Sequence, residues 1–338
     1  MKPVWRDYDW LIYSDVPVNY TIEDVDNAEI IYEGIATPKP NEDVIKIRIT
    51  DFAKNIVNSD VELYLNEFGE TFRMENYTKE LALTVDGNKE YQETFSNNYD
   101  YNNDVQITNV PYVLGSNADD RIGSGMIGKI TKNGNYCFTL HNPTTEDFEI
   151  TIEERGNGTS IFWYENTYIG AGQTKVFVVN NVSLEKLLID IPTGELLAQF
   201  DIVDNCNDYN LHYINAAGGY STIGLEGKKG KRSDNFNFEY FKTIGNNSDY
   251  QHPQTNKFKV DITSKWELQT GWLTDTDSQK MYNIFGSQRM LLEDNRTGKI
   301  YPVYITNTVC DYKTFTNQGK KKYNYTISLT CANTIIKL

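Results

Sequence analysis

The cleanest alternation of apolar and polar residues lies near the C-terminal end, where Tyr323, Tyr325, Ile327, Leu329 and Cys331 interleave with Asn324, Thr326, Ser328 and Thr330. A period of two places the first set on one face of a strand and the second on the other. The same period runs through "VIKIRIT" (44–50) and defines a second strand at "VELYLNEF" (61–68). From 106 to 190 the runs "QITNVPYVL", "YCFTLHN", "EDFEITIEERG", "SIFWYEN" and "TKVFVVNNV" recur with Gly- or Asn-bearing turns between them. Their spacing of about ten residues is that of a small β-sandwich. "KVFVVNN", apolar at successive positions, reads as a central strand, and "VSLEKLLIDIPTGEL" has room for one helical turn before Pro192. A helical period stands out in "TDTDSQKMYNIFGSQ" (274–288). There Thr276 and Gln279 have capping-box spacing, Met281, Ile284 and Phe285 fall at i, i+3 and i+4, and Gly286 can end the helix. A helix near 277–285 is too short to stand alone, so its apolar face must pack on a sheet.

These elements predict a mainly β protein, with β-sandwich or barrel domains and one short α-helix in the C-terminal domain. Three domains follow: residues 1–95 with an aromatic arm (Trp5, Tyr8, Trp10, Tyr13), a β-sandwich at 96–190, and a C-terminal β domain at 191–338. The first boundary is placed at "FSNNYDYNNDV" (95–105), whose Asn and Asp side chains favour turns over regular elements.

Composition strengthens the β assignment: 24 Tyr, 15 Phe and 5 Trp among 338 residues favour strands. The formal charge of −15 repels duplex DNA and anionic lipid, so broad nucleic-acid binding is disfavoured. No run approaches the ~18 apolar residues of a membrane helix, and the start lacks a basic segment followed by an apolar one, so neither anchor nor signal peptide is expected. Cys137, Cys206, Cys310 and Cys331 are far apart without CxxC spacing, which fits small core residues of a protein made in a reducing cytoplasm.

The candidate chemistry is thin. "GSGMIG" (123–128) spells a dinucleotide fingerprint but lacks the preceding strand and following helix that the motif needs. "GGYSTIG" approaches a nucleophile elbow, yet its last glycine falls one place late and no helix follows. His141, His212 and His252 have no metal-ligand spacing, and His212, alternating within a strand, reads as an ordinary half-buried imidazole. Forty-seven acidic residues mostly occupy solvent positions, and "DNRTG" (294–298) reads as a hairpin turn rather than a calcium loop. No catalytic residue, cofactor or metal is expected, and the chain is not read as an enzyme.

Two features remain. In "YNLHYINAAGGYSTIGLEGK" (209–228) Gly218 and Gly219 join strands Tyr209 to Asn215 and Tyr220 to Leu225, with Asn215 placed to bond the turn backbone. Just beyond, "GKKGKR" is the one concentrated positive patch of an acidic chain, able to meet DNA phosphate or the acidic face of a neighbouring subunit. Gly218, Gly219, Tyr220, Lys228, Lys229, Lys231 and Arg232 are therefore the candidate subunit-interface loop.

The Gly-Gly stretch, "GWLTDTDSQKMYNIFGSQRMLLED", "GKIYPVYITNT", "YNYTISLTCANTIIKL" and the early "YEGIATPKPNEDVIKIRITDFAKNIV" together resemble structural tail proteins of crAss-like bacteriophages of gut Bacteroidetes. The resemblance touches both ends and most of the chain. It implies a virion subunit made in the bacterial cytoplasm, one of the ring proteins stacked in the tail barrel below the portal. Its partners would be copies of itself, twelvefold to match a portal, and neighbouring portal or tail ring proteins. Contact with phage DNA would be non-specific. The alternative is a receptor- or glycan-binding tail protein, with exposed Tyr and Trp stacking on sugars.

Overall fold

A computed structural model describes residues 2–4, 7–40, 42–57, 71–74, 77–96, 110–114, 129–132, 134–192, 196–203, 208–241, 255–279, 281–287, 289–306, 312–317, 320–332 and 335–337, with backbone alone at 3, 71–72, 129, 131, 165–166, 203, 227–241, 255–262, 276, 279, 317 and 335–337. "VELYLNEF", "GSGMIG", Trp5, His252, Cys206 and Cys310 lie outside them. The chain is mainly β.

The N-terminal elements are β1 (Lys2–Pro3), β2 (Asp9–Tyr13), β3 (Val18–Asp24), β4 (Glu29–Ala36), β5 (Val44–Arg48), α1 (Ile49–Ile56), β6 (Thr71–Arg73), β7 (Thr78–Val85) and β8 (Asn88–Ser96). A five-stranded sheet runs β1-β8-β7-β3-β4, and β2 pairs with β5. Trp10 of the aromatic arm is buried, stacks on Tyr91 at 5.6 Å and donates from Nε1 to Glu93 at 3.0 Å. The alternation of β5 stops at Arg48, where α1 begins, a helix beyond the single one expected. Ile49, Phe52, Ala53 and Ile56 recur at i, i+3, i+4 and i+7, and that apolar stripe packs on the sheet core.

The middle of the chain contributes β9 (Tyr112–Val113), β10 (Lys129–Thr131), β11 (Tyr136–His141), β12 (Phe148–Gly156), β13 (Thr159–Ile169), β14 (Thr174–Val179), β15 (Lys186–Asp190) and β16 (Leu196–Val203). They form two sheets, β10-β16-β15-β12-β13 and β6-β14-β11-β9, enclosing one core. In it Phe138 stacks on Phe177 at 5.7 Å, and Tyr164 meets Phe177 edge-on at 5.3 Å. The sheets draw on both sides of 96–190, since β6 comes from the first segment and β16 from the third. The segment given room for a helical turn is instead β15, whose Leu187, Leu188 and Ile189 are all buried between β12 and β16. "KVFVVNN" supplies β14, an interior strand, as its pattern predicts.

The C-terminal elements are β17 (Tyr209–Ile214), β18 (Tyr220–Phe241), β19 (Thr255–Gln269), α2 (Asp275–Gln279), α3 (Met281–Phe285), β20 (Met290–Asp294), β21 (Lys299–Ile305), β22 (Tyr312–Asn317), β23 (Lys320–Cys331) and β24 (Ile335–Lys337). Antiparallel pairing in the order β17-β18-β19-β23-β21-β20 returns to β17 and closes a six-stranded barrel. Closure removes the exposed edges that an open sheet would carry. Tyr209, Leu211, Tyr213, Leu225, Leu292, Ile327 and Leu329 fill its interior. The expected helix is two short ones capped earlier than predicted. Thr274 Oγ1 accepts from Asp277 N at 3.1 Å and donates to its carboxylate at 2.8 Å. The side chains of Thr276 and Gln279 lie outside the described residues. Met281 and Ile284 join the barrel core, and Gly286 N closes α3 on Tyr282 O at 2.9 Å. "DNRTG" is the β20–β21 hairpin turn, with Gly298 at φ +66°.

Candidate functional site

Where barrel and sandwich meet, two strands have no solvent face. All six residues of β11 are buried: Tyr136, Phe138 and Leu140 point into the sandwich core, while Cys137, Thr139 and His141 point at the barrel. All six of β17 are buried too, with Asn210, His212 and Ile214 on the barrel's outer wall. The register sets Thr222 of β18 beside His212, and Glu293 of β20 beside Asn210. Apolar closure comes from Met74, Tyr77, Leu114, Val176, Val178, Ile214 and Tyr220.

At the centre of this seam Cys137, Thr222, His212 and Glu293 form a chain. His212 Nδ1 lies 2.8 Å from Thr222 Oγ1 and 3.5 Å from Cys137 Sγ, and its Nε2 lies 3.3 Å from Glu293 Oε2. Thr222 Oγ1 also accepts from Cys137 N at 3.0 Å and stands 3.2 Å from its sulfur. The Glu293 carboxylate takes two further donors, Asn210 Nδ2 at 3.2 Å and Asn135 Nδ2. Burial by itself pushes the His212 pKa down. The Cys137 sulfur and the Glu293 carboxylate outweigh that and hold it up at about 9. A buried carboxylate with three donors facing an imidazolium is a satisfied network, the condition under which buried charge is tolerated.

Thiol, imidazole and carboxylate in that order have the connectivity of an activated cysteine nucleophile. Access decides against that use: Cys137 and His212 are fully buried. The cleft beside them, lined by Gly134, Asn135, Asn210, Thr222 and Gly224, has about 10 Å³, room for one water and no substrate group. The arrangement pins two sheets together. Among the described residues no group of three or more His, Cys, Asp or Glu is placed to hold a metal.

The glycine turn belongs to the same seam. Asn215 Oδ1 accepts from Ala217 N at 3.0 Å and Gly219 N at 3.2 Å, as its position suggests. Its Nδ2 reaches Leu114 O of the sandwich side at 2.8 Å and Ser221 Oγ at 2.8 Å. Tyr220 N donates to Thr139 Oγ1 and Tyr77 Oη to Ala217 O, both at 2.8 Å. The two glycines answer different demands. Gly218 sits at φ +81°, whereas at Gly219 a Cβ would come within 2.7 Å of Leu114 Cβ and 3.0 Å of Thr139 Cβ. Gly218, Gly219 and Tyr220, expected at a subunit interface, are thus buried against their own chain's sandwich and present no surface to a neighbour. Lys228, Lys229, Lys231 and Arg232 lie on the backbone of β18, and their side chains lie outside the described residues.

The chain matches no protein-family model and no curated protein sequence. Its chemistry is therefore read from its own residues. Among the described residues no helix is long and apolar enough to cross a membrane.

Sequence reasoning assigned Cys137 to a core and His212 to a half-buried strand face, and did not single out Glu293, Asn210, Asn135 or Thr222. The signal was the kind of polar residue. Asn210, His212, Thr222 and Thr139 are short and uncharged or weakly basic, whereas the wet face of β5 carries Lys46 and Arg48.

Proposed function

We propose that the chain is a structural subunit of a phage virion, forming an oligomeric ring in the tail barrel or connector below the portal, with no catalytic role. The observation that carries this is the state of its sheet edges. β4, β13 and β22 each end a sheet with no further strand among the described residues, and each exposes large apolar side chains. These are Ile30, Tyr32 and Ile35 on β4, Ile161, Phe162 and Tyr168 on β13, and Tyr312 and Phe315 on β22. Apolar open edges are templates for pairing with another chain, and proteins that stay alone blunt them. The resemblance to crAss-like phage tail proteins supplies the setting: a virion tail, copies of itself, and portal or tail neighbours.

The test is to purify the chain alone and with neighbouring tail components and to examine the particles by electron microscopy. Closed rings in either sample are expected. A strictly monomeric chain absent from purified virions overturns the proposal. A receptor- or glycan-binding role is the second reading, favoured by exposed Trp272 packed 5.8 Å from exposed Phe315, a pair on which a sugar ring can stack. Binding to a glycan array that is lost in Trp272→Ala would favour it over the ring.

A further inference from the structure

Two of these apolar edges, β22 and β4, are chemically complementary. On β22, Lys313 and Phe315 are two residues apart and so share a face, and the register with β23 places Lys322 opposite Phe315 and Lys320 opposite Asn317. Three exposed lysines and an exposed phenyl ring therefore line one side of a hairpin at the rim of the barrel domain. On β4, Glu33 and Ile35 repeat the spacing with the opposite charge: an exposed carboxylate, then an exposed aliphatic side chain two residues on. Glu29 adds a second exposed carboxylate to that strand. A strand that adds to an open edge gains main-chain hydrogen bonds whatever its sequence, and the side chains facing across the new pair decide which strand is accepted. Each chain carries both halves of such a match.

We propose that β22 of one copy adds to β4 of a second copy, continuing the N-terminal sheet across the subunit boundary, with Glu33 beside Lys313 and Ile35 against Phe315. Two different surfaces meet, so the contact is head-to-tail and repeats from subunit to subunit until a ring closes. This pairing rests on the ring subunit proposed above and names the surfaces that would join it.

The experiment uses the full chain, measured by sedimentation velocity at low and high salt, with circular dichroism to check folding. Glu33 and Lys313 are exposed, so Glu33→Lys and Lys313→Glu are expected to leave the fold unchanged. Each reversal sets like charges together and should weaken association by about tenfold or more. The double variant, and an equimolar mixture of the two single variants, should regain it. Oligomers that ignore both reversals overturn the edge pairing while leaving the ring itself standing. A wild-type chain that stays monomeric at every concentration overturns the pairing, and if it also forms no ring with its tail neighbours and is absent from virions, the ring falls with it.

Discussion

Two fully buried histidines stand on neighbouring strands of one seam, and their surroundings drive them in opposite directions. His141 on β11 has Thr174 Oγ1 at 2.8 Å from Nδ1, the rings of Tyr77 and Tyr112 at 5.3 and 5.6 Å, and no partner for Nε2. Burial pushes its pKa down to about 4. His212 on β17 is as deeply buried but touches the Cys137 sulfur and the Glu293 carboxylate, and is held up at about 9. Depth is the same; the partner differs. Burial penalises a charge only until an opposite charge, itself hydrogen-bonded, accompanies it.

The sharpest way to break this contrast is to remove the partner. Glu293→Leu strips the carboxylate from His212, Asn210 and Asn135 together, and should lower stability by about 3–5 kcal/mol, read from the urea midpoint. Adding His212→Phe to Glu293→Leu removes the stranded imidazole and should recover a large part of that loss. If the double variant is as unstable as the single one, the ion pair is not what holds the seam.

Next in size is the pH dependence. For His212 the folded pKa of about 9 exceeds the ordinary 6.5, so its contribution is complete below pH 6.5 and is lost as pH rises towards 9. For His141 the folded value of about 4 lies below 6.5, so the unfolded chain takes the proton first, and stability is lost as pH falls from 6.5 towards 4. Each limb should amount to up to about 3 kcal/mol, at about 1.4 kcal/mol per pH unit. Denaturation at a series of pH values checks this: His141→Phe should flatten the acid limb alone, and Glu293→Leu should shrink the alkaline limb alone, leaving the part that rests on Cys137.

The smallest expected effect is at Thr174, which offers His141 a hydroxyl rather than a charge. Thr174→Val should cost about 1–2 kcal/mol in the same urea assay, the ordinary loss of one neutral buried hydrogen bond. A cost equal to that of Glu293→Leu would erase the distinction between the two sites.

Much of the architecture was legible because alternation reports directly on strands. β23, β5 and the hairpin around the glycine pair follow from period-two runs and turn residues, and β14 from a run apolar at successive positions. Closure of the barrel was not legible, since it depends on β19 meeting β23, a pairing across roughly sixty residues that no local pattern encodes. The seam was hidden for a related reason. Alternation says that Asn210 and His212 share a face of β17, but not that a sandwich strand covers it. The helix α1 was readable from Ile49, Phe52, Ala53 and Ile56, yet was masked because Ile49 also continues the alternation of β5. In α2 the cap fell to Thr274, whose hydroxyl reaches Asp277 N.

Strand β11 serves two cores, one on each face. A shared wall of this kind has no slack: displacing Phe138 on one side moves Cys137 and Thr139 on the other, so sandwich and barrel bear load as a single block rather than hinging about a joint. Heat should register the same fact as one cooperative melting transition for the two together, with any separate early transition coming from the N-terminal sheet.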